Sequence, residues 1–109
     1  MNKIEIQLTP QTMHVFSCRI SVLDLQGKQC EEYKVKIDAK TSSVSCPLNI
    51  SADEFEGKII RIMVCGISPN DDNKDYALQT EVLICGQPKW EDIIKGQNGA
   101  TEATKFPPS

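Results

Sequence analysis

The sequence predicts an all-β fold: a single antiparallel β-sandwich, immunoglobulin-like or a small barrel, of six to seven strands with a flexible C-terminal tail. Three observations carry this expectation. Apolar and polar residues alternate with period two through most of the first 85 positions, the pattern of strands with one wet face. Turn-forming residues recur between these stretches at a spacing that suits short strands. No helical pattern is long enough to cross over a parallel sheet.

Each element follows from its residues. Ile4, Ile6 and Leu8 share one face against Lys3, Glu5, Gln7 and Thr9, and Pro10 ends this first strand. In 13–24, Phe16, Cys18, Ile20 and Val22 oppose Val15, Ser17, Arg19 and Ser21, before a turn containing Gly27. Tyr33, Val35, Ile37 and Ala39 alternate with Glu32, Lys34, Lys36 and Asp38, so one face of 31–39 must meet water. Val44, Cys46, Leu48 and Ile50 form a fourth inward set, and Pro47 assigns it to a sheet edge or a kink. Ser51 and Glu54 have capping-box spacing, which predicts a short helical turn at 52–56 stopped by Gly57. The stretch Ile59-Ile60-Arg61-Ile62-Met63-Val64-Cys65 is the most apolar of the chain, as expected of a central strand covered on both faces or lying at a subunit contact. The polar run 68–75 reads as a connection. Tyr76, Leu78, Val82 and Ile84 then face inward from a strand at 76–85.

Beyond Gly86 the pattern weakens. Residues 87–94 are a weak seventh strand, and the i, i+3, i+4 spacing of Trp90, Ile93 and Ile94 also fits a single helical turn at 89–94 with Gly96 as its cap. From 96 to 109, Phe106 is the one large apolar residue, so this segment is expected to be a disordered tail on a domain spanning 1–95.

Composition bounds the function. One hundred and nine residues support one domain. Twelve Lys and Arg against fifteen Asp and Glu give a net charge of −3, which argues against nucleic-acid and polybasic membrane partners. Lys34 and Lys36 are balanced along their strand by Glu32 and Asp38, so no basic patch is predicted there. The N-terminal residues carry no continuous apolar run of a signal peptide, and no window approaches the roughly 20 apolar residues of a spanning helix. Five well-separated cysteines, an odd number, fit reduced thiols in a cytoplasm.

Catalytic and metal chemistry find little support. His14 is the single histidine, and Cys18, four residues on along a strand, lies about 13 Å away. No Cys-x-x-Cys knuckle occurs, so neither metal nor cofactor is predicted. Cys18 and Cys85 stand 67 positions apart, an interval like that of the bridging cysteines of immunoglobulin domains, but no Trp lies between them and Leu83 replaces the Tyr expected two positions before the second. The run Asn70-Asp71-Asp72-Asn73-Lys74-Asp75 offers oxygen ligands for calcium without EF-hand spacing, and turn chemistry accounts for the same residues. Adjacent carboxylates on strands point to opposite faces, which argues against glycosidase pairs. Asn49-Ile50-Ser51 matches a glycosylation acceptor, relevant only in a secretory compartment.

The expected function is therefore non-enzymatic: a module that binds another protein or a second copy of itself, as an adaptor, assembly component, or inhibitor of the immunity or anti-defence kind. Trp90, Ile93, Ile94 and Phe106 are the candidate partner-binding residues, Trp90 as an anchor. Their alternative role is to close one end of the domain's own core. A loop-based calcium- or carbohydrate-binding module is the alternative function, and a cysteine-dependent enzyme the third.

Overall fold

In a computed structural model the described residues, 3–40, 42–70 and 73–108, form eight strands and a single 3-10 turn. The strands are β1 (Lys3–Pro10), β2 (Val15–Asp24), β3 (Gln29–Ile37), β4 (Val44–Ser51), β5 (Lys58–Ile67), β6 (Tyr76–Ile84), β7 (Gln87–Gly96) and β8 (Thr101–Phe106). They build two four-stranded antiparallel sheets, ordered β4-β1-β6-β7 and β3-β2-β5-β8, here called sheets A and B. The fold is a β-sandwich, as the alternation predicts, with eight strands rather than six or seven.

The chain runs up one strand and down the next. Two hairpins, β2–β3 and β6–β7, stay within a sheet, and every other connection passes between sheets. The β2–β3 turn is organised by Asp24, whose Oδ1 accepts from the amides of Gln26 at 2.9 Å and Lys28 at 2.8 Å, while Gly27 supplies a φ of +84°. In the two-residue β6–β7 turn, Cys85 and Gly86 have φ of +55° and +80°. Between β4 and β5, Ala52–Glu54 form the 3-10 turn, and Ser51 donates its amide and hydroxyl to Glu54 Oε1 at 3.4 and 3.0 Å. The Ser51/Glu54 spacing thus marks a real turn.

The core lies where the alternation puts it. Ile4, Ile6 and Leu8 from sheet A meet Phe16, Ile20, Ile60, Ile62 and Val64 from sheet B, all fully buried. Each such side chain contributes about 1.5–3 kcal/mol on leaving water. Aromatic groups close both ends. At the upper end Phe16, Tyr76 and His14 pack mutually with ring centroids 5.8–6.1 Å apart. Tyr76 lies flat on two glycines: a Cβ at Gly66 would sit 2.6 Å from its Cγ, and one at Gly96 2.4 Å from its hydroxyl. At the lower end Trp90 lies between Phe55, 5.9 Å away, and Phe106, with which it stacks at 6.4 Å and 19°.

Two expectations for the C-terminal part are corrected. Residues 89–94 form no helical turn but the middle of β7, paired with β6 from Tyr76↔Gly96 to Ile84↔Gln87. The segment 96–109, expected to be a separate tail, contributes β8, paired with β5 from Ile60↔Phe106 to Cys65↔Thr101. The boundary expected at residue 95 therefore has no counterpart. Phe106 is the physical reason. Its ring is 1% exposed and needs the lower end of the core, which draws its strand into sheet B.

Candidate functional site

β7 and β8 bring three of the four predicted partner-binding residues together inside the molecule. Trp90 and Ile94 are four apart and so share one side of β7; Trp90 is half-buried and Ile94 is 4% exposed. Phe106 is buried beside Trp90. Ile93 faces the other way, 47% exposed on the outer side of sheet A opposite Gln79. Lys89 Nζ lies 5.7 Å over the Trp90 ring. The contacts of Trp90, Ile94 and Phe106 are with the domain's own core.

His14 is 3% exposed and tied on both ring nitrogens. The Lys74 carbonyl accepts from Nε2 at 2.8 Å, which leaves Nδ1 to accept from the Thr12 hydroxyl at 2.8 Å. Thr12 Oγ1 accepts in turn from the Ala77 amide at 3.2 Å. The ring fastens the β1–β2 connection to the β5–β6 connection at the upper end.

None of the five cysteines is joined in a disulfide. Cys18 points into the core, where burial pushes its pKa up to about 12. Burial raises Cys46 as well. Both stay protonated and weakly nucleophilic at neutral pH. Cys30 and Cys85 are exposed, and Cys65 donates to the Gly99 carbonyl at 3.5 Å. Asp71 and Asp72 of the acidic run lie outside the described residues. Asn73, with φ of +52°, accepts from Asn98 Nδ2 at 3.4 Å. Among the described residues no three His, Cys, Asp or Glu side chains gather around a common point.

The most distinctive surface is the outer side of sheet B. Ile60, Ile62 and Val64 of β5 face the core, so Ile59, Arg61, Met63, Cys65 and Ile67 face out. β5 is central, as its apolar sequence predicts, but its outer side is uncovered: Ile59, Met63 and Cys65 are half-buried and Ile67 is 54% exposed. Register sets its neighbours in rows. Lys36, Ser17, Cys65 and Thr101 form one, Lys34, Arg19, Met63 and Ala103 the next, and Glu32, Ser21, Arg61 and Lys105 a third. The small residues Ser17, Cys65 and Thr101 leave a shallow groove of about 490 Å3, walled by Arg19, Lys34 and Lys36.

Among the described residues, the three rows hold five cations, Arg19, Lys34, Lys36, Arg61 and Lys105, against one carboxylate, Glu32. Arg19 pairs with Glu32 at 3.4 Å. Among the described residues no carboxylate pairs with Lys34, Lys36, Arg61 or Lys105, and the Nε of Arg61 is covered without a hydrogen-bond acceptor. No protein-family model and no curated protein matches this chain. The absence of a basic patch, expected from β3 alone, is thus corrected. Asp38 falls past the end of β3, and the cations converge from four strands. The signal is in the sequence only when outward positions are compared across strands rather than along one.

Proposed function

We propose that this domain is a non-enzymatic protein–protein interaction module, serving as an adaptor, assembly component or inhibitor, and that it meets its partner through the outer side of sheet B. One observation carries the reading: the outer side of central strand β5 is apolar at Ile59, Met63, Cys65 and Ile67, yet no layer of the domain covers it. Apolar strand faces with a charged surround are characteristic of interaction surfaces. An odd number of cysteines, none joined in a disulfide, supports the reading of a reducing compartment such as the cytoplasm.

Site-specific photo-crosslinking tests it. A photoreactive residue replacing Met63 is expected to give discrete protein adducts in extract of the native cell. The same residue at Gln79, on the outer side of sheet A, is expected to give none. Equal labelling at the two positions, or none at position 63, would refute the proposal.

A further inference from the structure

We infer that the outer side of sheet B docks an acidic, extended polypeptide segment of the partner, with its carboxylates on Arg19, Lys34, Lys36, Arg61 and Lys105 and an apolar side chain over Met63. This inference rests on the interaction reading above and specifies the chemistry of the partner.

Charge complementarity is the first argument. Five of the chain's twelve cations occupy this one sheet face with a single carboxylate, so the rest of the molecule holds seven cations and fourteen carboxylates. Chance mixing in an acidic chain favours the opposite balance. Like charges placed directly opposite on neighbouring strands repel, and Arg61 faces Lys105 in this way. Arg61 has neither an acceptor on its covered Nε nor a carboxylate partner among the described residues, so its charge is not neutralised within the sheet.

Geometry is the second. Lys34 and Lys36 alternate along β3 at about 7 Å, which matches the repeat of same-side residues in an extended peptide. The face spans four strands, about 14 Å, and its groove runs past Met63 and Cys65, a floor suited to an aliphatic side chain. A nucleic acid fits less well. None of the residues in the three rows is aromatic, so bases would find no stacking platform, and the acidic remainder of the surface repels a long polyanion.

Fluorescence anisotropy with the intact chain tests the inference. The probe is a short labelled peptide alternating Glu with Leu and Ser; single-stranded oligothymidylate and vesicles containing phosphatidylserine are compared with it. The peptide is expected to bind best, with affinity falling about tenfold between about 50 and 500 mM salt. The variant Lys34→Glu/Lys36→Glu is expected to weaken binding by about tenfold or more, and Gln7→Ala on sheet A to leave it unchanged. Lys105→Glu on β8 gives an independent reading of the same face, and thermal melts confirm that each variant folds. Absent peptide binding, binding indifferent to both reversals, or tighter binding of the oligonucleotide or vesicles would overturn the inference. If the peptide fails while position 63 still cross-links a protein, the acidic chemistry falls and the interaction reading stands. Loss of cross-linking at position 63 removes both.

Discussion

At Cys18 the side chain that most invites a chemical reading turns out to be held by packing. Its thiol lies among Phe16, Ile20 and the facing core, and desolvation raises its pKa from 9.0 to about 12. The same shift makes folding sensitive to alkali. Below pH 9 the thiol is protonated in both states and the shift has no effect. Between pH 9 and about 12 the unfolded chain loses that proton and the folded chain retains it, so stability falls by about 1.4 kcal/mol per pH unit for this group. Tyr33 and Tyr76, raised chiefly by burial, add to the decline above pH 10. Urea unfolding from pH 8 to 11 is expected to show this loss, with a shallower slope in Cys18→Ala. Equal slopes in the two proteins would assign the decline to other groups.

Among the elements, β8 has the most influence per residue. It is six residues long and mostly exposed, yet it covers the free edge of β5, and Phe106 completes the lower end of the core beside Trp90. A tie from its Thr104, whose hydroxyl donates to Asp92 Oδ2 at 2.6 Å, holds β8 against β7 across the two sheets. Phe106→Ala is expected to cost about 3–5 kcal/mol, and truncation after Gly96 to abolish cooperative unfolding in a thermal melt. A truncated chain that melts like the full one would restore the separable tail. Six strands were legible because one side of each is wet, which enforces strict alternation. β7 was ambiguous for a definite reason: Trp90 and Ile94, four apart, share a face in either a strand or a helix, and only Ile93 separates the two readings. β8 offered small polar residues and one aromatic, too few to outweigh its loop-like composition. At the candidate site, β5 announced its apolarity plainly, whereas the cations beside it belong to four segments whose adjacency exists only after folding.

For the whole molecule, net charge is a poor guide to behaviour. A body with principal extents of 44 × 28 × 21 Å places its cation-rich face and the carboxylates Glu5, Glu81 and Glu91 on opposite sides of the sandwich. Across that thickness the two faces are separated by more than a Debye length of about 8 Å at physiological salt, so each acts on its surroundings nearly independently. Despite its charge of −3, the domain is expected to be retained on a sulfonate cation exchanger at low salt and neutral pH. Lys34→Glu/Lys36→Glu should flow through. Flow-through of the unaltered chain would show that the positive face is too weak to act alone.

The order of the strands also bears on how the molecule is made. Sheet B contains the second, third, fifth and eighth strands, so its outermost member beside β5 is the latest of the eight in chain order. Until β8 is in place, β5 has one edge bare and the place of Phe106 stays empty, so the lower end of the sandwich core is open. Nascent chains are thereby exposed to strand-to-strand pairing with one another during this interval.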